Sequence, residues 1–339
     1  MLPGAGLQLS EFTTMRVGGP ADLVVTATTR DELADAALAA WADDEWLVLG
    51  GGSNVVVADE GFPGTVIHVV TRGITRVEGE GVLLRVEAGE PWDGLVEHAV
   101  AEGWSGIEAL SGIPGSCGAA PIQNIGAYGQ ELSDVLVAIE FLDYVTGERE
   151  RIPADELGLG YRTSVIKQGR QGVVLAIELR LTESAEGVIE YSQLAAALGV
   201  ESAPIADIRT GVLGLRRAKG MVLTPDDPDS VSCGSFFTNP VVGENFARTL
   251  PSETPQWLVD DTAVKLSAAW LIEKAGIGKG FALPGSRVAI SSKHTLAITN
   301  RGGGTAAEVG ELARYIQAMV LARFGVALQA EPVAVGVEL

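Results

Sequence analysis

Two glycine-rich segments contain the residues of this chain best suited to hold an anionic ligand. The longer one covers residues 111–131 and carries almost no charge, while the shorter one, residues 50–54, directly follows the apolar run Trp46–Leu49. Glycine lets backbone N–H groups approach a ligand more closely than other residues do. Two such loops in one chain indicate a dinucleotide, and the candidate binding residues are Gly50, Gly51, Gly52, Ser53, Asn54, Ser111, Gly112, Gly115, Ser116, Gly118, Gln123, Asn124 and Gly126.

A Rossmann site is the common alternative for the first segment. Val55 stands where that fingerprint has a third Gly or Ala, and residues 55–57 are β-branched valines, which are not typical of a helix start. Taken alone, the first segment is equally compatible with a plain glycine-rich turn. The second segment, with its polar Gln123 and Asn124, favours a pyrophosphate held between strand-connecting loops.

The composition is that of a large, acidic globular protein. The 339 residues are 47% hydrophobic, with 44 Asp and Glu against 24 Lys and Arg and a net charge of −20. This length suggests two or three domains, and this charge argues against nucleic-acid binding. The sequence contains no charged leader, lipidation signal or apolar stretch long enough to span a bilayer, so we expect a cytoplasmic protein that does not bind membranes.

The cysteines and histidines have no metal-binding pattern. Cys117 and Cys233 form no CxxC pair, and His68, His98 and His294 are scattered along the chain. We therefore expect reduced cysteines in a reducing compartment and no metal site.

The N-terminal half has the pattern of an α/β domain. We predict strands at residues 24–28, 46–49, 82–87, 136–141 and 173–181. One helix is predicted after a capping box at Thr29 and Glu32, and another runs from Pro91 to about residue 102. One domain, residues 10–183, then contains both glycine-rich segments.

The C-terminal part alternates between the two kinds of element. We predict a strand at 235–237, a helix at 265–275, a strand at 287–300 and a helix at 305–324. The last helix begins with a second capping box, formed by Thr305 and Glu308.

A helical segment between these parts contains the one sharply basic patch. Apolar residues recur at helical spacing from Ile205 to Leu215, and the cations of the patch are Arg209, Arg216, Arg217 and Lys219. A cation in the last turn also suits the helix macrodipole, which is explanation enough for Arg217. Arg216 and Lys219 are three residues apart, so we predict that they share one helix face and bind a phosphate.

Three residues far apart in sequence have side chains suited to chemistry at a carboxylate-bearing substrate. Arg162 has a planar fork that can grip a carboxylate, although it is also compatible with a surface ion pair. Ser235 lies in no G-x-S-x-G motif and has no histidine nearby in sequence, which disfavours a hydrolase nucleophile and leaves a structural serine as the alternative. Glu331 precedes Pro332 in an apolar tail, where it is either a chain-end charge or a functional carboxylate.

Six motifs, in order along nearly the whole chain, resemble the UDP-N-acetylenolpyruvoylglucosamine reductase family, the flavoproteins that make UDP-N-acetylmuramate for peptidoglycan. The motifs are TTMRVGGPAD (residues 13–22), LGGGSNVVVAD (49–59), GIPGSCGAAPIQNIGAYGQE (112–131), GYRTS (160–164), CGSFFTNP (233–240) and the closing Glu331-Pro332. The resemblance implies an α+β fold with an FAD-binding domain of the vanillyl-alcohol-oxidase type and a smaller α/β substrate-binding C-terminal domain. The expected boundaries are a two-lobed FAD domain at 10–183, a linker with a tyrosine loop and the basic helix at 184–224, and the substrate domain at 225–339.

The resemblance also implies the reaction and the catalytic roles. NADPH first transfers a hydride to FAD, and the hydride then passes to the enolpyruvyl ether of the UDP-sugar. Arg162 matches the arginine that stabilises the enolate-like intermediate, Glu331 matches the glutamate that assists it, and Ser235 matches the serine that donates the final proton. These roles are physically reasonable, because oriented charges stabilise developing negative charge and a hydroxyl can protonate a strongly basic carbon.

Substrate contacts follow from the same resemblance. Tyr191 resembles the tyrosine on the mobile substrate-covering loop of the first of the family's two types. Trp257 stands roughly at the position where relatives often have a tyrosine that stacks on the substrate, and His294 stands at a position where relatives vary. Both residues are equally compatible with a packing role. The nucleotide-sugar contacts are expected to be Arg216, Lys219 and Asn239.

The partners expected are UDP-N-acetylglucosamine enolpyruvate and NADPH, with FAD held non-covalently by a monomer, since no residue suggests a covalent attachment. Two other functions compete with this one. A sugar or alcohol oxidase of the same flavin fold would pass electrons to oxygen, and a nucleotide-sugar sensor would keep the fold without catalysis. The joint presence of Arg162, Ser235 and Glu331 argues against the sensor.

Overall fold

The computed structural model describes residues 6–42 and 45–339. Their contacts divide the chain into two compact units that interleave in sequence. The first contains the described residues up to Leu7, then Ala21–Gly52 and Pro63–Ala218, and the second contains Gln8–Pro20, Ser53–Phe62 and Lys219–Leu339. The expected domains at 10–183, 184–224 and 225–339 stay a prediction.

The described chain contains both strands and helices along its length. The strands are β1 Ala21–Ala27, β2 Trp46–Leu49, β3 Val55–Val57, β4 Phe62–Val69, β5 Ile74–Val77, β6 Val82–Glu87, β7 Trp104–Ser105, β8 Gly126–Ala127, β9 Gln130–Glu131, β10 Leu136–Asp143, β11 Arg149–Pro153, β12 Gly172–Glu183, β13 Glu186–Val188, β14 Ser202–Pro204, β15 Val241–Gly243, β16 Gln256–Leu258, β17 Ala263–Leu266, β18 Val288–Ile290, β19 Ile298–Asn300 and β20 Val333–Val335. The helices are α1 Arg30–Ala40, α2 Trp92–Ala101, α3 Ser192–Leu198, α4 Ile205–Ala218, α5 Glu244–Ala247, α6 Ala268–Lys274 and α7 Ala306–Phe324.

Two sheets form the centre of the first unit. The larger has the strand order β11-β10-β12-β6-β5 and is antiparallel throughout, while the smaller has the order β1-β4-β2, with β2 and β4 parallel. Alternate residues of β6, such as Leu84 and Val86, are fully buried and pack in one core with Trp92 and Leu95 of α2. This packing fixes α2, which lies before β7 and the second glycine-rich segment in the chain.

Helix α1 begins where its sequence predicts. The Thr29 side chain accepts a hydrogen bond from the N–H of Glu32, and the Glu32 carboxylate accepts one from the N–H of Thr29. Leu33 and Ala37 are then buried in a core that includes Leu175 of β12. The chain leaves α1 for β2, which ends at the first glycine-rich segment.

The second unit is built around α7. Its buried stripe, including Leu312 and Ile316, packs in one core with Leu271 of α6 and Val288 of β18. Strand β3 joins this unit by pairing in parallel with β20. Beyond β3, the Asp59 carboxylate accepts hydrogen bonds from the first two N–H groups of α7 at 2.8 and 2.9 Å, which caps that helix.

The predicted elements with clear start signals and periodicity are confirmed: β2 and β6 have the predicted bounds, and α1, α2, α4 and α7 lie where expected. The strand predicted at 24–28 lies slightly earlier, at Ala21–Ala27. The helix predicted at 265–275 begins later, at Ala268, because the Ser267 side chain caps it by accepting from the N–H of Trp270.

Two predicted strands are wrong. Residues 235–237 form only an isolated bridge between Phe237 and Ala330, and the preceding Gly234 has φ +74°, which turns the backbone out of an extended path. The strand predicted at 287–300 is the antiparallel hairpin β18–β19. Its turn is set by the Ser291 hydroxyl, which accepts hydrogen bonds from the N–H groups of Lys293 and His294.

In the ranges 6–42 and 45–339, no helix is both long and apolar enough to span a membrane. Within those same ranges, His, Cys, Asp and Glu side chains form no group of three or more that could hold a metal ion.

Candidate active site

The two glycine-rich segments meet backbone to backbone in the first unit. A Cβ atom added to Gly51 would lie 2.8 Å from the Cα of Gly115, and one added to Gly50 would overlap the Ser116 hydroxyl. Gly52 and Gly115 have φ angles of +57° and +115°, which side chains rarely adopt. The joined turns therefore form a cradle of backbone polar groups of the kind that a pyrophosphate requires.

Residues just before α2 hold the second turn in place. The N–H of Trp92 donates to the carbonyl of Gly115 at 3.0 Å, and the N–H of Gly118 donates to the carbonyl of Ala88 at 2.7 Å. A Cβ at Gly118 would lie 2.6 Å from the Cβ of Ala88, so only glycine fits there. Ser111 is fully buried and donates its hydroxyl hydrogen to the carbonyl of Glu108, which makes it part of the support for the turn.

Asn124 organises the end of the second segment. It is buried, its φ is +46°, and its side-chain amide donates to Glu131 at 2.9 Å and to the carbonyl of Gly160 at 3.2 Å. The N–H of Ser133 donates to its side-chain oxygen at 3.0 Å. The neighbouring Gln123 accepts from Lys167 at 3.3 Å. The Asn124 amide thus connects separate loops, a role that its polarity alone did not indicate.

Arg162 is oriented by this same segment. Its terminal nitrogens donate to the carbonyls of Asn124 at 3.3 Å and Gly126 at 2.8 Å, and its guanidinium lies 5.5 Å from the centre of the Tyr161 ring. The residue is half-buried and has φ +54°, an unfavourable backbone conformation for a non-glycine residue. Two fixed carbonyls therefore hold the planar fork in one direction.

Tyr191 stands at the start of α3 with its side chain 38% exposed. Its ring makes an edge-to-face contact with Tyr128, with ring centres 5.3 Å apart. Tyr128, like Asn124 and Arg162, is a non-glycine residue with positive φ, +52°, and it was not among the residues predicted from the sequence. An exposed aromatic residue at a helix start is suited to cover a ligand.

Arg216 is almost completely buried, and its Nε donates to the carbonyl of Gly112 at 3.2 Å. Helix α4 ends at Ala218, and Gly220 follows with φ +68°. Lys219 therefore lies outside the helix, and the prediction that it shares a helix face with Arg216 is wrong.

In the second unit, Ser235 and Glu331 lie on neighbouring backbone segments. The N–H of Glu331 donates to the carbonyl of Phe236 at 2.9 Å, next to Ser235. Asn54, from the end of the first glycine-rich segment, donates its side-chain N–H to the carbonyl of Glu331 at 3.3 Å, and its own carbonyl accepts from Val333 at 2.9 Å. Ser53 and Ser235 are both half-buried. The fold thus brings together Asn54, Ser235 and Glu331 from three distant motifs.

His294, in the second unit, is partly buried and is influenced by two nearby positive charges. Burial lowers the pKa of His294 to about 4, and the positive charges of Lys219 and Lys279 add to the shift. The imidazole is therefore neutral at neutral pH. Lys279 was missed in the sequence analysis, although its position between Gly278 and Gly280 marks it as a cation on a flexible loop.

Asn239 and Trp257 lie in the same unit at different elements. The side-chain oxygen of Asn239 accepts from the N–H of Ala268 at 3.0 Å and so helps to cap α6. Trp257 is 50% exposed on the outer strand β16, opposite Lys265 of β17. An exposed indole on a strand is available for stacking on a ligand, whereas a packing role would bury it.

The two cysteines are predicted to be chemically inert in the folded protein. Both are buried, and burial raises the pKa of Cys117 well above its ordinary value and that of Cys233 to about 12. The thiolate is the reactive species, so an aromatic disulfide reagent at pH 8 should label neither thiol in the folded protein. After guanidinium unfolds the chain, the same reagent should label both thiols. Rapid labelling of one thiol per folded chain would contradict this.

Comparisons with known proteins agree with the two-part architecture. Residues 21–152 match a family model described as FAD binding domain, and residues 226–335 match UDP-N-acetylenolpyruvoylglucosamine reductase, C-terminal domain. Relatives with the name UDP-N-acetylenolpyruvoylglucosamine reductase include that of Leifsonia xyli subsp. xyli, 53% identical over 98% of both chains, and that of Salinispora arenicola, 49% identical over 99% of this chain and 97% of the relative.

A solved structure is similar over the same extent. The crystal structure of UDP-N-acetylenolpyruvylglucosamine reductase from Thermus caldophilus aligns with a TM-score of 0.68 at 29% identity, covering 97% of each chain. These matches confirm both the resemblance found in the motifs and the expected fold class, an FAD-binding domain followed by the reductase C-terminal domain. The chain belongs to the UDP-N-acetylenolpyruvoylglucosamine reductase family.

Proposed function

We propose that this chain reduces UDP-N-acetylglucosamine enolpyruvate to UDP-N-acetylmuramate with NADPH and FAD, a step in the synthesis of peptidoglycan precursors. The observation that carries the proposal is the backbone-to-backbone contact of the glycine turns at Gly51 and Gly115, inside the stretch that matches the FAD binding domain. FAD, when bound, would supply the redox chemistry that carries a hydride from NADPH to the enolpyruvyl double bond. All other steps depend on side chains and backbone groups of the protein.

The glycine turns fit the pyrophosphate of FAD. The two turns contact each other so closely that a Cβ at Gly51 would collide with the Gly115 backbone and one at Gly50 with the Ser116 hydroxyl, so glycine keeps the backbone of both turns close together. We assign the cradle to residues 50–54 and 111–118, in which Gly112 and Gly118 donate their N–H groups to Asp93 and Ala88 and so support the turn. We assign Gln123, Asn124 and Gly126 to the boundary between the cofactor and Arg162. No side chain of the cradle suggests a covalent bond, so the cofactor is held non-covalently.

The reduction adds a hydride to one carbon of the double bond and a proton to the other. Arg162 stabilises the negative charge that develops next to the substrate carboxylate, since its fork matches a carboxylate and is already oriented by two carbonyls. Ser235 donates the proton from its hydroxyl to the carbanion-like carbon. Glu331 assists in stabilising that intermediate, and its backbone is held by Asn54.

The nucleotide sugar is bound by cations and aromatic side chains. The positive charges of Lys219 and Lys279 act on the neutral imidazole of His294, and this set of groups suits a diphosphate, which pairs with the lysine ammonium groups and accepts a hydrogen bond from the imidazole. Arg216 and Asn239 contribute further polar groups. Tyr191 covers the substrate, as in the family type with the tyrosine loop, and Trp257 offers its exposed ring for stacking.

The net charge of −20 supports a protein without nucleic-acid partners. A nucleotide sugar and NADPH are cytoplasmic metabolites, which supports a cytoplasmic location without a membrane partner. We further propose that the enzyme acts as a monomer, and light scattering of the holoenzyme measures that directly.

The function is tested by turnover of the purified protein with UDP-N-acetylglucosamine enolpyruvate. NADPH consumption should require that substrate and should yield UDP-N-acetylmuramate, identified by mass spectrometry. An oxidase would instead leave the flavin oxidised when NADPH is added under anaerobic conditions. A nucleotide-sugar sensor would bind the substrate without consuming NADPH.

The purified protein is predicted to be yellow and to release its FAD in acid. Non-covalent binding by the glycine turns depends on the folded backbone, so denaturation should move the flavin into the supernatant in a one-to-one ratio to the chain. Absorbance of the supernatant and pellet after acid precipitation measures this. Flavin retained on the pellet would exclude non-covalent binding, and the absence of flavin would argue against the cradle.

A further inference from the structure

Gly112, in the second glycine turn, is held from both sides by side chains of two helices. Its N–H donates to the carboxylate of Asp93 in α2 at 2.6 Å, and its carbonyl accepts from Arg216 in α4 at 3.2 Å. Its φ is +71°, and an added Cβ would lie 2.8 Å from the side chain of Leu213 in α4. The N–H of Gly112, its carbonyl and the space where a side chain would lie are thus all occupied by side chains of the two helices.

Asp93 is in turn held by a second arginine of α4. The two terminal nitrogens of Arg209 donate to the two carboxylate oxygens of Asp93 at 2.6 and 3.0 Å, and the Arg209 side chain is only 12% exposed. This fork is the strong, geometrically specific form of an ion pair. Burial disfavours the charged carboxylate, but the hydrogen bonds from Arg209 and from the N–H of Gly112 outweigh it and lower the pKa of Asp93.

Arg209 and Arg216 are seven residues apart on α4, which is close to two helical turns, so they project from the same face. The spacing of Arg216 and Lys219 predicted a phosphate partner for these two cations, whereas Arg209 was assigned no partner. In the structure, Arg209 pairs with Asp93, which accepts from the N–H of Gly112, and Arg216 donates to the Gly112 carbonyl.

We propose that Asp93 and Arg209 are a positioning pair for the cofactor: they fix the Gly112 turn in its cradle conformation before FAD binds. The inference rests on the proposed function, since it takes the glycine turns as the FAD site. A glycine turn has many accessible conformations. If only a fraction of the apo-protein molecules has the turn in the conformation that binds FAD, the apparent Kd for FAD rises in inverse proportion to that fraction. Weakening the pair should therefore weaken FAD binding.

The test is FAD affinity of the apo-protein, measured by titration of free FAD and its change in fluorescence. Asp93→Ala removes the acceptor for Gly112 and the partner of Arg209, and should raise the Kd for FAD roughly 10- to 100-fold, the range expected for lost charge-assisted hydrogen bonds. Asp93→Asn keeps an acceptor for the Gly112 N–H and should have an intermediate effect. Arg209→Lys keeps the charge but loses the fork and should also weaken binding.

The matched control is Arg217→Gln, which removes an exposed cation from the same helix and should leave the Kd within about twofold. Thermal unfolding of each apo-protein separates a local effect on the turn from general destabilisation. Should Asp93→Ala fail to fold, Arg209→Lys and Asp93→Asn decide the question.

Two results would reject the positioning role: folded variants that bind FAD as tightly as the wild type, or a loss of affinity that Arg217→Gln shares. A wild-type protein that binds no FAD would instead reject the proposed function, so the two failures are distinguishable.

Discussion

Replacing Ser235 by alanine is expected to lower the turnover number roughly 10²–10⁴-fold, the usual loss when a positioned proton donor is removed. Substrate affinity should change little, because the substitution removes one small polar atom from a half-buried loop. The bond to hydrogen at the second carbon cannot form without a donor, and in the variant solvent must supply the proton less efficiently. The rate of the half-reaction in which the substrate reoxidises the flavin should therefore fall, whereas the rate of flavin reduction by NADPH should not.

Rapid mixing resolves the two halves. NADPH should bleach the flavin absorbance of Ser235→Ala at the wild-type rate, whereas the return of absorbance after addition of the enolpyruvyl substrate should be slow. Binding of the substrate to the oxidised enzyme is titrated separately. Ser252→Ala, an exposed serine in the same unit, is the control for a general effect of the substitution. Normal product formed at the wild-type rate would remove Ser235 from the mechanism.

Much of the fold follows from local sequence signals. Capping boxes at Thr29 and Thr305 define where α1 and α7 begin, because two side chains and two backbone groups satisfy each other within a few residues. The glycine turns were also recognisable from local sequence, because closely spaced glycines are typical of loops whose backbone approaches a ligand. The motifs then identified the family, whose name the comparisons support over the whole chain.

The two wrong strands reflect local turns at Gly234 and Ser291, but other features that the sequence did not reveal depend on contacts between distant residues. Nothing near Asn239 indicates that it caps α6, and nothing near Asp93 indicates that Arg209, 116 residues later, pairs with it. Arg216 and Lys219 were predicted to bind a phosphate because of their spacing, and Arg209 was given no partner. The partner of Arg209 is Asp93, and only the tertiary fold brings that acid to the helix.

Backbone strain was also not predictable from the sequence. Arg162, Asn124 and Tyr128 all have positive φ, and none belongs to a residue type or pattern that required it, although asparagine tolerates it best. The Asn124 side chain donates hydrogen bonds to Glu131 and to the carbonyl of Gly160, which the sequence had not connected to it. Such strain is typical of residues that a site holds in one orientation.

Arg162→Lys provides the sharpest test of that orientation. Lysine keeps the positive charge and the Cβ, so the cost of the positive φ is unchanged. It loses the fork, whose two terminal nitrogens donate to the carbonyls of Asn124 and Gly126. A single ammonium group cannot hold both carbonyls and face a carboxylate in a fixed direction.

We expect the substrate-driven return of flavin absorbance to slow by roughly 10²-fold, in line with the loss of one oriented donor at a developing negative charge. Bleaching by NADPH should stay within about twofold of the wild-type rate, because that half does not involve the substrate carboxylate. Arg180→Lys, an exposed arginine of the same unit, controls for the substitution itself. Equal slowing of both half-reactions would mean that Arg162 holds the 124–126 segment in place rather than stabilising the developing negative charge. A displaced segment would disturb the boundary of the cofactor site and so slow both half-reactions.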